Sequence, residues 1–453
     1  MLTSRTTLPH LLAIVLLCCG VTRAATPAVN NESPELTLES LTLEMQTQVE
    51  KLRGWKFKHN VASHLCGATE LEAFIRRGFD EGARDGSLSR KEAGVQLVGL
   101  IPADCSLVKT ASTMFAAAAA FYDHETGEVY VLQREGATLG SYMQRVSLLH
   151  ELVHALDDQH LDINMLHERG EASTDASFVV GSLLEGSAII IQSTYMMIQQ
   201  TAGQFSPDDM QKEMTEEIER QQAFFEAPPY FTKFSAQFPC GSAFLRRGAG
   251  ASFLHPPKPE EIGNALKQAT GQLPRSSEQM LHPDKYWDAE ERDEPVIIDD
   301  DAISQIVQAA KLEVVDTDTF GELLCAMLAR PADETPSQMG MMSTKAWTNE
   351  AATGWGGDRF YLLARTGTSD PAGKFKGIWL TAWDTPADCD EFTAAYEKHR
   401  DLPHRSRVQL GNRCTCWLFG LDPQEAKAIT ECITDGSLAF SQAQQPWHCD
   451  AES

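Results

Sequence analysis

S-Y-M-Q-R-V-S-L-L-H-E-L-V-H-A-L-D-D-Q-H, from Ser141 to His160, is the most informative stretch of the chain. It contains the motif H-E-x-x-H as His150, Glu151 and His154. Residues four apart share one face of a helix, so both imidazoles can reach a single zinc ion while Glu151 holds a water bound to that ion. Apolar residues recur here at three- and four-residue steps, which predicts a helix. The stretch therefore predicts a hydrolytic metal site.

Zinc needs a third protein ligand, and two residues compete for that place. Glu185 lies in the apolar run from Phe178 to Ile198, where a lone carboxylate is costly unless a metal, a proton or a cation meets it. His160 has the spacing of the metzincin signature H-E-x-x-H-x-x-G-x-x-H, but Asp157 replaces the glycine that turns the chain back toward the metal. If the helix continues, His160 points away from the motif. Glu185 has the better claim, and His160 is the alternative.

The same apolar run is long enough to cross a membrane. Its central Glu185 and its small and polar residues favour instead a buried helix in a globular domain. We therefore expect no stable membrane span.

The first 24 residues fit a secretory signal peptide, with Arg5 as the positive region, an apolar core up to Cys19 and a small-x-small cleavage site ending at Ala24. Cys18 and Cys19 leave a lipoprotein open. We expect a protein that is secreted, periplasmic or associated with the cell envelope. Of 11 cysteines, two lie in the signal, and for the remaining nine we expect disulfides with one thiol left over.

The net charge of −26 makes nucleic acid an unsuitable partner, because a nucleic-acid-binding protein needs a basic surface. The expected partner is a peptide or protein substrate. The sequence does not indicate an oligomeric state.

The pattern of elements predicts an α+β fold. Residues 25–36 are a disordered lead-in, 37–290 a mainly helical catalytic domain with a small edge-stranded sheet, 291–301 an acidic linker, and 302–453 a C-terminal α+β domain. The segment from Phe121 to Leu132 reads as a hairpin or edge strand just before the histidine-bearing helix. A peptide substrate could add to that edge beside the metal.

Several segments resemble a broad group of exported or membrane-attached prokaryotic zincin-like proteins. They are L-L-H-E-L-V-H-A-L-D-D-Q-H-L-D, A-F-Y-D-H-E-T-G-E-V-Y-V, L-L-E-G-S-A, S-S-E-Q-M-L-H-P-D-K-Y and G-W-G-G-D-R-F, and the resemblance spans roughly Leu52 to Phe392. It implies a gluzincin-like zinc hydrolase fold. In that fold His150 and His154 are zinc ligands, Glu151 is the catalytic base and Glu185 is the third ligand. The longer spacing between His154 and Glu185 departs from the thermolysin pattern.

A zinc-activated water would attack a peptide carbonyl while Glu151 accepts its proton. The developing oxyanion needs a further donor, for which His282 or Tyr286 is the first expectation and His167 a weaker one. The rival to catalysis is a non-catalytic zincin-like scaffold or binding protein of the cell envelope. Because Glu151 is present, catalysis is the favoured reading.

Overall fold

A computed structural model gives the fold and describes residues 36–134, 138–251, 258–331, 334, 340–367, 375–400, 402, 404–434 and 440–442. The signal peptide predicted at 1–24 and nearly all of the lead-in predicted at 25–36 lie outside these ranges. The fold is α+β, as the sequence predicts. Its α-helices are α1 (Leu38–Arg53), α2 (Ala68–Asp85), α3 (Ser87–Leu97), α4 (Leu107–Phe115), α5 (Tyr142–His160), α6 (Ile163–Gly170), α7 (Thr174–Ala202), α8 (Pro207–Arg220), α9 (Gln222–Phe225), α10 (Thr232–Gly248), α11 (Pro259–Gly271), α12 (Ser277–Leu281), α13 (Asp284–Trp287), α14 (Asp300–Ala309), α15 (Gly321–Ala329), α16 (Pro386–His399) and α17 (Pro423–Thr434).

The strands form two larger sheets and a short pair. The described strands are β1 (Ser63–Cys66), β2 (Ala120–Asp123), β3 (Glu128–Leu132), β4 (Val296–Ile298), β5 (Leu312–Asp318), β6 (Trp355–Arg365), β7 (Lys376–Trp383), β8 (Arg405–Leu410), β9 (Cys414–Phe419) and β10 (Phe440–Gln442). The first sheet has the order β1-β3-β2, with β3 parallel to β1 and antiparallel to β2. The second is antiparallel, in the order β5-β6-β7-β9-β8. The predicted hairpin is therefore β2 and β3, and β2 is an edge strand.

Helix α7 is the centre of the N-terminal part. Ser173 caps its first turn by accepting from the Ala176 N–H, and Gly203 ends it in the left-handed conformation. Among the described helices it is the one long and apolar enough to cross a membrane, but 89% of its most apolar window is buried inside this structure. Helices α5, α6 and α10 pack around it. The apolar side chains of α7 therefore pack against other helices of this structure.

Helix α10 approaches α7 closely because both helices have small residues at their contact. A Cβ added at Gly241 would lie 1.7 Å from the Ser182 carbonyl oxygen, and one added at Gly186 would lie 2.2 Å from the Gly241 carbonyl carbon. The two glycines therefore fix how near α10 comes to the segment of α7 that carries Glu185.

The acidic segment predicted as a linker, 291–301, contains β4 and the start of α14. Asp299 caps α14 by accepting from the Asp301 and Ala302 N–H groups, and the Asp300 carboxylate accepts two hydrogen bonds from Arg359 at 3.0 and 2.7 Å. Asp299 and Asp300 thus serve as a helix cap and as an ion-pair partner while both remain exposed to solvent.

The main apolar core also runs across the predicted domain boundary. The Tyr396 hydroxyl donates to the Val98 carbonyl at 3.0 Å, and Lys91 pairs with Asp318 at 2.6 Å. The chain's two halves thus share one interior.

The disulfide expectation is not met within the described residues. Seven cysteines there carry free thiols: Cys66, Cys105, Cys240, Cys325, Cys389, Cys414 and Cys416. Most are buried on separate elements, where they serve as small apolar core residues. Cys449 lies outside the described residues.

Candidate metal centre

Helix α5 carries the H-E-x-x-H motif into the interior. Ser141 caps its first turn by accepting from Gln144 N–H, and the helix runs unbroken to His160. The exposed fractions are 0% for His150 and Glu151 and 5% for His154. The motif is therefore not a pair of exposed surface histidines.

Helix α7 brings Glu185 to the same place, with only 5% of the residue exposed. His150, His154 and Glu185 each offer a ligating atom within 4.8 Å of those of the other two. The His150 Nε2 and Glu185 Oε2 atoms are 3.3 Å apart. Both atoms, and the His154 Nε2 atom, are buried and have no hydrogen-bond partner. Three unsatisfied ligating atoms converging in the interior are the arrangement that a bound cation satisfies.

A neighbouring amide fixes the tautomer of His150. Its Nδ1 atom is 2.7 Å from the Gln192 Oε1 atom, which can only accept a hydrogen bond, so Nδ1 carries the ring proton. In the neutral ring the lone pair is then on Nε2, facing the Glu185 carboxylate. Two acceptors 3.3 Å apart repel each other unless a proton or a metal ion lies between them. Gln192 thus has the role that outer partners of metal-binding histidines usually have.

Burial controls the protonation of the three candidate ligands. Desolvation lowers the pKa of His150 and lowers that of His154 well below its usual value, so both imidazoles are neutral and suited to metal binding. Desolvation also raises the pKa of Glu185 well above its usual value. Without a cation this carboxyl group takes up a proton, and a metal would compete with that proton.

Glu151 is held by the edge strand. Its Oε2 atom accepts the Tyr122 main-chain N–H at 2.9 Å, while its Oε1 atom is buried without a hydrogen-bond partner. Burial, with a smaller opposing effect from His150, raises the pKa of Glu151 to about 8. A carboxyl group with a pKa in that range can both accept and return a proton near neutrality.

The alternative third ligand, His160, lies elsewhere. Because α5 continues through Asp157, the His160 side chain turns away; its Nε2–H donates to the Lys56 carbonyl at 2.8 Å and its ring lies against Trp55. Asp157 does not make a turn. It forms a fully buried ion pair with Arg53 at 2.8 Å and accepts from the Ser187 hydroxyl at 2.5 Å.

A small cavity of about 40 Å³ lies beside the ligands. Its lining includes His154, Glu185, His124, His167, Asp158 and Gln237. The His124 and His167 rings are 4.7 Å apart between centroids, one in the β2–β3 turn and one on α6.

His282 and Tyr286, the first expectations for an oxyanion donor, are not among the residues that line this cavity. His282 lies 3.0 Å from the buried Glu322 carboxylate, and the Tyr286 hydroxyl donates to the Gln272 carbonyl at 2.5 Å. Both polar groups are used in packing α12 and α13. The weaker expectation, His167, is the one that the structure brings to the cavity.

A second acidic group, Glu278, Asp293 and Asp384, also has metal-like spacing. The Lys285 ammonium already lies among these carboxylates, at 2.6, 2.8 and 3.8 Å. A lysine therefore supplies the positive charge that a metal would bring.

Comparisons with known proteins concern the C-terminal part only. A family model described as a domain of unknown function, DUF8575, matches residues 310–430, which include the five-stranded sheet and most of α17. The residues of the metal centre lie outside that match. No curated protein matches the chain, and neither does any solved structure.

Proposed function

We propose that the chain is a zinc-dependent, gluzincin-like hydrolase that cleaves peptide bonds outside the cytoplasm. The observation that supports it best is the convergence of His150 Nε2, His154 Nε2 and Glu185 Oε2 in a buried space where none has a hydrogen-bond partner. Two neutral imidazoles and a carboxylate are a ligand set that zinc takes in hydrolases. The residues present therefore fit the ion.

Bound zinc would lower the pKa of a water molecule and polarise the substrate carbonyl. The chain's own residues do the rest. Gln192 orients His150, and the Tyr122 N–H holds one oxygen of Glu151. The free oxygen, Oε1, accepts the proton from the attacking water and returns it to the leaving amine.

The edge of β2, where a peptide substrate was expected to add, faces helix α5. Strand β2 pairs with β3 on one side only, and the Tyr122 N–H on its other side points to Glu151. The main chain alternates in direction along a strand, so Ala120 presents its N–H and C=O to that same side. Both residues are buried, at 0% and 7% exposed, and the Tyr122 N–H is already bonded to Glu151, so a peptide cannot pair along this edge and the expectation of β-strand addition here is corrected.

His124 and His167 are the imidazoles available to stabilise the developing oxyanion, because both line the cavity that His154 and Glu185 share. We assign the role of oxyanion donor to His167, which is half-buried on α6. The ring of His124 packs against the ring of His167 and holds it in position.

A second function, a metal-stabilised binding protein without catalysis, has one observation in its favour. The cavity of about 40 Å³ holds a water molecule or two but no peptide side chain, so substrate entry requires the walls to move apart.

The deciding experiment compares the purified wild type with Glu151→Gln. Peptide hydrolysis by the wild type that falls about a thousandfold in the variant at unchanged zinc content supports the hydrolase. Zinc bound by both proteins, with no hydrolysis of a peptide library by either, supports the binding protein. Absence of zinc from both overturns the proposal.

A further inference from the structure

Tyr122 contacts helix α5 at two points. Its main-chain N–H donates to Glu151 Oε2 at 2.9 Å, and its hydroxyl donates to Asp158 Oδ2 at 2.5 Å. Glu151 and Asp158 are seven residues apart, so they lie on one face of the helix, two turns from each other. One residue of the edge strand thus forms hydrogen bonds to two positions, two turns apart, on the helix that carries the motif.

The two contacts differ in what they can support. The Glu151 carboxylate must be free to exchange a proton. Its hydrogen bond to the Tyr122 N–H is therefore not enough by itself to hold β2 against α5. Asp158 has no such task, and its carboxylate is half-buried. A short hydrogen bond from a phenol to a carboxylate is among the stronger neutral-to-charged contacts in proteins.

We propose that Tyr122 and Asp158 form a clamp that positions Glu151, with the hydroxyl–carboxylate bond holding β2 against α5 so that the Tyr122 N–H fixes one oxygen of the base. The inference rests on the proposed function, because it assigns positioning residues to the base. Neither residue is a metal ligand, so the clamp acts on the base and leaves the zinc ligands in place.

The consequence of losing the clamp follows from geometry. Without the hydroxyl contact, the bond to Glu151 is the hydrogen bond that remains between Tyr122 and α5, beside the apolar packing of the strand on the helix. The carboxylate then follows the movements of the strand. Proton transfer needs the acceptor within hydrogen-bond reach of its partner, and small displacements reduce the rate steeply. Zinc affinity and substrate contacts elsewhere do not depend on this bond.

The test uses Tyr122→Phe and Asp158→Ala, singly and together, in the full chain loaded with zinc. Each single variant should lower kcat about tenfold with KM and zinc content unchanged. The double variant should be no worse than either single one, because both remove the same bond. Asp158→Asn, which keeps an acceptor, should recover most of the loss seen in Asp158→Ala.

The matched control is Tyr130→Phe. Tyr130 lies on β3 in the same sheet, and its hydroxyl donates to Glu128 at 3.1 Å, away from α5. Its loss should leave kcat unchanged. A wild-type kcat in Tyr122→Phe, or losses that add fully in the double variant, would overturn the clamp.

Amide hydrogen exchange separates this proposal from the proposed function. The Tyr122 amide should exchange at least about tenfold faster in Asp158→Ala than in the wild type, while the Tyr130 amide is unaffected. If the wild type hydrolyses no peptide, the proposed function fails and exchange still decides the clamp. An unchanged exchange rate at residue 122 would refute it.

Discussion

The Nε2 atom of His150 on α5 lies 3.3 Å from the Oε2 atom of Glu185 on α7, and neither atom has a hydrogen-bond partner. Because Gln192 holds the ring proton on the opposite nitrogen, this contact joins two acceptors. It is stable only with a proton or a metal ion between them. The assignment of His150 and Glu185 as metal ligands can therefore be tested by measuring metal binding, without an assay of activity.

Replacing a ligand should remove the metal. We expect His150→Ala, His154→Ala and Glu185→Ala each to weaken zinc binding severely, because two remaining ligands do not hold the ion. His160→Ala is the matched control, since its ring is bonded to the Lys56 carbonyl and should leave zinc binding nearly intact. Zinc affinity is measured by competition with a chelator. Loss of the metal in His160→Ala together with its retention in Glu185→Ala would reverse the assignment.

Variants can distinguish His167, the proposed oxyanion donor, from His282, which was first expected in that role. His167→Phe keeps a ring against His124 but removes the N–H groups, so kcat should fall about a hundredfold at unchanged zinc content. His64→Phe is the control, because His64 lies on β1, packs its ring on Tyr130 and does not line the cavity. A His282→Ala variant that keeps its metal and loses as much activity would restore the first expectation.

The contact between α7 and α10 should tolerate no added atom. In Gly241→Ala the new methyl would overlap the Ser182 carbonyl oxygen, so the helices must separate, and we expect a loss of stability of about 3 kcal/mol. Gly271→Ala is the control: this glycine ends α11, has no atom within 4 Å of a built Cβ, and should be neutral or slightly stabilising. The free energies of unfolding in urea give both values. Equal stability of the two variants would show that the glycines do not set the contact.

Much of the geometry of the candidate metal centre could be predicted from the sequence, because the spacing of its residues is set by single helices. His150, Glu151 and His154 are fixed by the 3.6-residue period of α5, and an isolated Glu185 in an apolar run has few other uses. Gln192 could have been found as well, because it lies seven residues after Glu185 on the same face of α7.

What the sequence could not predict depends on contacts between distant segments. Every residue except proline has a main-chain N–H, so nothing marked that of Tyr122 as the partner of Glu151. His282 and Tyr286 looked suited to the site, but their partners, Glu322 and the Gln272 carbonyl, are set by tertiary packing. The contacts of the acidic segment could not be predicted for the same reason, since its Asp300 is paired with an arginine far along the chain.

Asp175 should make the stability of the folded chain depend on pH. It lies in the first turn of α7, 2% exposed, and its Oδ1 atom accepts from the Ser277 N–H at 3.0 Å. Burial, opposed by the bonds from Ser277 and assisted by Asp358 and Asp318, raises its pKa to about 7. The folded state therefore binds a proton that the unfolded chain releases near its ordinary pKa of about 4.

The sign follows from that difference in bound protons. Between about pH 4 and pH 7 the folded state holds more protons, so this residue's contribution to the free energy of unfolding falls as pH rises, by at most about 1.4 kcal/mol per pH unit, and levels off above pH 7. Asp175→Asn resembles the protonated side chain and should lack this dependence. We would measure urea unfolding of both proteins from pH 4.5 to 8. The stability of the wild type minus that of the variant should decline through this range to pH 7, and a constant difference would show that Asp175 is ionised in the folded chain at every pH tested.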